Sequence, residues 1–141
     1  MLPSKEINLI TQRIIGCAIT VHRHLGPGLL ECVYDEALSM EFTHEKLQFE
    51  RQKSVPIVYR QTTLASPLKL DFLVTNEIIV ELKAVETILP VHEAQLLSYL
   101  RLTNKSVGLL INFHVDVLKS GIRRKTRQVI PEKNAVLCGP L

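Results

Sequence analysis

Residues 71–85, DFLVTNEIIVELKAV, constrain the fold more than any other stretch of the chain. The run from Ile78 to Val85 is apolar enough for a buried strand, yet Glu81 and Lys83 stand inside it. Charged side chains are rarely buried without a partner, because desolvation costs too much. Side chains alternate faces along a strand. Ile79, Glu81 and Lys83 therefore share one face, and Ile78, Val80, Leu82 and Ala84 share the other. The wholly apolar face must meet the core. The expectation is a half-buried strand whose charged face opens onto a cleft.

Leu70 to Val74 reads as the partner strand in a hairpin, and it carries Asp71. A three-residue loop at Thr75, Asn76 and Glu77 places Asp71 opposite Glu81 on the same face. A two-residue turn at Asn76-Glu77 places Asp71 opposite Leu82, on the wrong face. Both turns are open to the sequence. Two adjacent carboxylates repel, and such a pair persists where a cation joins them. A hard divalent ion such as Mg²⁺ suits oxygen ligands and keeps several waters. Lys83 would then touch a metal-bound water or a phosphate oxygen. The bland alternative is a cross-strand ion pair, Asp71 or Glu81 with Lys83, on a solvated face.

With 141 residues, 46% of them apolar, the chain is expected to form a single domain with a real core. No run approaches the ~18 apolar residues of a membrane span, so no membrane partner is expected. The opening MLPSKEINLI lacks the basic-then-apolar layout of a signal peptide. The three cysteines, Cys17, Cys32 and Cys138, are far apart and form no CxxC pair. That argues for a reduced, cytoplasmic chain and against a zinc site or a disulfide framework. The formal charge of +3 is compatible with nucleic-acid binding without demanding it.

Ile7, Ile10, Ile14, Cys17 and Val21 recur at helical spacing behind Ser4, a candidate cap, and predict a helix over 5–24. GPG at 26–28 ends it. A second helix is expected over about 29–45, with Val33, Ala37 and Met40 on its apolar stripe. Strand-like runs follow at 47–51 and 55–59, then the loop LASP and the hairpin. Pro90 opens a third helix to about Leu102, its apolar side being Leu96, Leu97 and Leu100. VGLLINF at 107–113 is another buried strand. Arg123, Arg124, Lys125 and Arg127 then lead into a Pro/Gly-bearing tail. The order α-α-β-β-β-β-α-β predicts a mixed sheet with helices against it, α/β or α+β.

Two further motifs carry polar groups. In GLLECVY, Glu31 and Tyr34 lie three apart on one helix face. Glu31 also falls in the first turn, where the dipole favours a carboxylate. In HEAQLLSYL, Gln95 and Tyr99 lie four apart, with His92 one turn before Gln95. Each residue alone reads as surface.

Together the pieces resemble the PD-(D/E)XK nuclease superfamily, and within it the bacterial group named for its GxxExxY motif. Gly28, Glu31 and Tyr34 match that motif. Asp71 followed by Glu81-Leu82-Lys83 matches the D…ExK signature. Gln95 and Tyr99 resemble the QxxxY element of RecB-type nucleases. The resemblance runs from about Ile7 to Arg124. Leu70 stands where the superfamily name puts Pro, TTLASPLKL before Asp71 is irregular, and 125–141 lies outside the match.

The resemblance implies a restriction-endonuclease-like core, a mixed sheet flanked by helices. It implies that Asp71 and Glu81 bind Mg²⁺, or Mn²⁺ in its place, with the Leu82 carbonyl as a third ligand. Glu31 would bind directly or through water. Lys83 would orient and help deprotonate the attacking water. Gln95 and Tyr99, with His92 before them, would steady the site or the nucleic-acid backbone, and Tyr34 would support the site or touch substrate. Arg123, Arg124, Lys125 and Arg127 would either grip phosphates or stand as a solvated basic tail. The expected activity is metal-dependent phosphodiester hydrolysis of nucleic acid, DNA ahead of RNA. Two alternatives stand beside it: a non-catalytic nucleic-acid- or protein-binding module that keeps the fold, and a phosphoesterase acting on a small substrate. A domain this small is minimal for gripping a duplex, which points to a homodimer or a partner protein.

Overall fold

A computed structural model describes residues 3–129. Cys138 and the segment 130–141, most of the expected tail, lie outside the described residues. Helix α1 (Ser4–Leu25) buries Ile7, Ile14, Cys17, Ala18 and Val21, the stripe that the sequence spacing implies. Ser4 is its first helical residue rather than its cap, which is Pro3. The chain turns through Gly26 and Gly28, with φ of 68° and 95°. Glycine takes these left-handed conformations without steric cost.

Helix α2 (Glu31–His44) buries Tyr34, Asp35, Leu38 and Phe42. Of the expected stripe, Ala37 packs against the core, but Val33 is 39% and Met40 65% exposed. Aromatic packing decides the helix's rotation. Tyr34 stacks on Phe113 at 4.5 Å between centroids, and Phe42 meets Phe72 edge-on at 5.2 Å. Large rings bury more area than Val33 or Met40 could.

Two more strands form than expected. Strand β1 (Phe49–Val55) is followed by a small hairpin, β2 (Val58–Tyr59) and β3 (Thr62–Thr63). Then come β4 (Leu68–Val74), β5 (Ile78–Lys83), α3 (Pro90–Thr103), β6 (Val107–Asn112), a 3₁₀ turn (Leu118–Gly121) and β7 (Ile122–Thr126). The main sheet has the order β1-β4-β5-β6-β7. Only β5 and β6 pair in parallel, joined by the α3 crossover that parallel strands require. Of the basic residues expected to begin a tail, Arg123, Arg124 and Lys125 instead lie in β7, antiparallel to β6, and Arg127 follows it. A strand with three consecutive cations, Arg123, Arg124 and Lys125, is hard to read as one, yet charge suits a sheet edge because it deters further strands.

Helices α1 and α2 cover one face of the sheet, with Val80, Leu82 and Leu109 beneath them. Helix α3 covers the other through Leu96 and Leu100 against Leu73, Ile79 and Leu110. Leu97, expected on this apolar side, is 38% exposed. Strand β5 is thus buried on both faces from Ile78 to Leu82, not half-buried. Central strands in three-layer folds have no open face.

The close seat of α3 depends on Gly108. A Cβ there would lie 2.7 Å from Leu96 Cδ1 and 3.3 Å from Leu100 Cδ2, both on buried side chains. Gly108→Ala is expected to destabilise the protein by about 1–3 kcal/mol, as overpacking does. A thermal midpoint equal to that of the wild type would refute this packing.

Candidate active site

The β4–β5 hairpin has the odd loop. Val74 pairs with Ile78, Leu73 with Ile79 and Phe72 with Val80, leaving Thr75, Asn76 and Glu77 outside the ladder. Thr75 and Asn76 turn the chain with φ of 52° and 59°. In this register Asp71 falls opposite Glu81, but the backbone ladder stops one step earlier.

Side chains replace it there. The Asp71 N–H donates to Glu81 Oε2 at 3.0 Å, and the Leu82 N–H donates to Asp71 Oδ2 at 2.8 Å. The break continues into β1, where Gln52, the residue facing Asp71, is absent from the pairing and has a φ of 53°. The alternation of β4 changes at the same point. Phe72 packs under α1 and α2, whereas Leu70 and Leu68 pack with Leu73 on the α3 side. Asp71 sits at this twist.

Glu81 is 6% exposed. Burial pushes its carboxyl up to about 9, helped by the charge of Asp71 and by a hydrogen bond to it. Lys83 pulls the other way and does not offset these effects. The expected alternative, an ion pair of Lys83 with either carboxylate, does not form: the ion pairs among the described residues are Arg51–Asp35, Lys53–Glu50 and Lys125–Glu93. Lys83 Nζ instead reaches Gln95 Oε1 at 3.4 Å, and Gln95 Nε2 donates to the Tyr99 hydroxyl at 2.9 Å. Partial burial, then Glu81 and Asp71, raises the Tyr99 phenol above its ordinary value. The row Lys83, Gln95, Tyr99 therefore lies along α3 beside the two carboxylates.

Glu31 opens α2 on the opposite helical layer. Its carboxyl is raised by partial desolvation and then by Asp71, and lowered by Lys83, so it lies in the field of the same groups. It does not close a cluster with them: among the described residues, no set of three or more His, Cys, Asp or Glu is arranged to hold a metal ion. Tyr34 is fully buried and touches no open surface. Its hydroxyl donates to the Gly26 carbonyl at 2.6 Å and accepts the Leu29 N–H at 3.1 Å. It clamps the glycine turn that delivers Glu31, and the substrate-contact role falls away. His92 accepts the Leu89 N–H at 3.0 Å and so caps α3.

The four basic residues do not form one patch. Lys125 pairs with Glu93, and Arg124 reaches Asn8 on α1 at 2.8 Å. Arg127 donates to the Leu100 and Lys105 carbonyls, finishing α3. Arg123 remains exposed and bonds the Ser120 carbonyl.

Two positioning residues had gone unnoticed in the sequence. Buried Asp35 accepts hydrogen bonds from Arg51 Nε and Gln52 Nε2, tying α2 to β1 at its break. In sequence it looks like any surface acid. Buried Asn112 holds the Val85 N–H at 3.0 Å and the Val85 carbonyl at 2.7 Å, which fixes the chain just beyond Lys83. A lone amide ending an apolar strand was the available signal.

The donor set suits a hard divalent cation. Asp71 and Glu81 supply carboxylate oxygens, and burial followed by the charge of Asp71 raises the Glu81 carboxyl. The Leu82 carbonyl points to the same side as its N–H, toward Asp71, as strand geometry requires. One or two carboxylates with retained waters is a common way for proteins to bind Mg²⁺.

A family model described as the PD-(D/E)XK nuclease superfamily matches residues 8–125. No curated protein matches the chain. Among solved structures, that of SSO0001 is similar at 17% identity over 91% of this chain and 82% of that one, with a TM-score of 0.39. No helix among the described residues is long and apolar enough to cross a membrane.

The Glu81 carboxyl gives a pH prediction for the metal-free protein. Between 4.5 and about 9 the folded state keeps a proton that the unfolded state has released. Stability must then fall as pH rises through this window, and be greatest at its acid end. In EDTA, the thermal midpoint of the wild type is expected to drop relative to Glu81→Gln from acid to alkaline pH. Parallel profiles for the two proteins would show that Glu81 ionises as it does in the unfolded chain.

Proposed function

We propose that this chain, which belongs to the PD-(D/E)XK nuclease superfamily, is a metal-dependent nuclease of the GxxExxY group. The observation that supports this most is the crossing of Asp71 and Glu81 in the break of the β4–β5 ladder. Two carboxylates held there by backbone N–H groups form an acidic pair that the fold keeps despite its cost.

Asp71, Glu81 and the Leu82 carbonyl would hold Mg²⁺, with Mn²⁺ as a substitute. When bound, such an ion lowers the pKa of a coordinated water and neutralises phosphoryl charge. The chain's own groups do the rest. Glu31, facing the pair from α2, orients water by accepting its hydrogen bond. Lys83, on the same strand face as Glu81, positions the water and a phosphate oxygen. Gln95 holds Lys83 in that direction. Tyr99 takes the Gln95 N–H on its oxygen, which leaves its own proton for a phosphate oxygen. Asn112 fixes the strand exit so that Lys83 cannot swing away.

The test is cleavage of labelled single- and double-stranded DNA and RNA with Mg²⁺, with Mn²⁺ and with EDTA. Glu81→Ala and Asp71→Ala are expected to lose roughly 10²-fold or more of the rate, the scale seen when a charge-stabilising group is removed. Lys83→Met is expected to lower turnover with little change in nucleic-acid affinity. Metal-dependent cutting that survives in Glu81→Ala would overturn the site, and binding without cutting in the wild type would favour a non-catalytic module.

A further inference from the structure

Between Arg51 and Leu70 the chain has no acidic residue, and it carries Arg51, Lys53, Arg60 and Lys69. Arg51 and Lys53 are neutralised by Asp35 and Glu50. Arg60 and Lys69 are in none of the ion pairs among the described residues. Arg60 stands at the tip of the β2–β3 hairpin, where Val58 pairs with Thr63 and Tyr59 with Thr62. Every residue from 58 to 67 is exposed.

This hairpin is not explained by packing. Tyr59 is 52% and Val58 46% exposed, and the Arg60 guanidinium lies 5.8 Å from the centre of the Tyr59 ring. The two turn residues, Arg60 and Gln61, have φ of 50° and 64°. Such a turn favours Asn-Gly, so long side chains occupy positions where smaller residues would be less strained. A two-stranded hairpin alone is marginal in water. This one is anchored at its root, where the Leu64 N–H bonds the Ile57 carbonyl at 2.8 Å and Ile57 packs against the α3-side core. Pro56 and Pro67 flank that root and restrict its backbone. From there β4 runs from Leu68 to Asp71 in three residues, ~10 Å at strand rise.

We infer that the β2–β3 hairpin is a nucleic-acid-gripping finger: Tyr59 stacks on an unpaired base and Arg60, with Lys69, holds the adjoining phosphates. The inference rests on the nuclease reading and adds to it the class of substrate, a single strand or a frayed end. An exposed ring needs a base face to stack on, and a duplex interior offers none. The absence of acids along the finger matches a polyanion.

Fluorescence anisotropy in EDTA, with labelled single-stranded and duplex oligonucleotides, tests it. The wild type is expected to prefer the single strand. Tyr59→Ala should weaken that binding roughly 5- to 150-fold, the range for loss of one stacking side chain. Tyr59→Phe should keep it, while Tyr59→Leu should not. Arg60→Gly relieves the turn and should reduce the slope of log affinity against log salt by about 0.7. Unchanged single-strand affinity in both Tyr59→Ala and Arg60→Gly, with thermal midpoints intact, overturns the inference. The nuclease reading then still stands if the wild type cuts with Mg²⁺. Weakened binding in these variants without any metal-dependent cutting by the wild type would keep the finger and remove the nuclease reading. A wild type that binds no nucleic acid removes both.

Discussion

The structure depends on one exchange of partners in the middle of the sheet. Beyond Phe72 and Val80, strands β4 and β5 stop bonding backbone to backbone, and the carboxylates of Asp71 and Glu81 take up the N–H groups instead. Two consequences follow. The Asp71 and Leu82 N–H groups each keep an acceptor, whose loss would be costly at this depth. The two acids are also brought together where neither can move away. Burial of the Glu81 carboxyl, and after it the charge of Asp71, is the energetic cost of the arrangement, and it shows in the raised Glu81 carboxyl.

The rest of the fold brings polar groups to that break from both layers. Tyr34 closes the glycine turn, so α2 begins at Glu31 and faces the pair from one side. Gly108 lets α3 sit low on β6, so Gln95, with Tyr99 bonded to it, meets Lys83 from the other. Asp35 secures β1 where it parts from Asp71, and Asn112 secures the exit of β5. A buried amide or carboxylate with every partner satisfied stiffens its surroundings. These two sit on either side of the ionisable groups that chemistry would use.

The hydrophobic pattern carried most of the architecture. Helix α1, the hairpin, the Pro90 helix and the apolar β6 run were legible because their periodicities are strong and their ends are marked by Pro or Gly. Where the reading failed, the pattern was ambiguous or hidden. Helix α2 offers two apolar stripes, and only the rings of Phe113 and Phe72 choose between them. Strand β7 hides behind its arginines. Strand β2 falls within the strand-like run at 55–59, but the exposed Thr62–Thr63 of β3 leaves no apolar signature.

For the candidate site, the sequence alone determined that Glu81 and Lys83 share a face of a strand that must be buried. Side-chain alternation in a strand is a local, covalent matter. It could not decide the turn, because two- and three-residue loops were both compatible with the residues between Val74 and Ile78. The tertiary structure decided that, and with it the meeting of Asp71 and Glu81. It also decided that the charged face lies under α3 rather than open, and that the basic residues near the C-terminal end divide among separate partners. Those outcomes depend on which faces of the sheet find a covering helix, and packing between distant segments is not written in any one stretch of sequence.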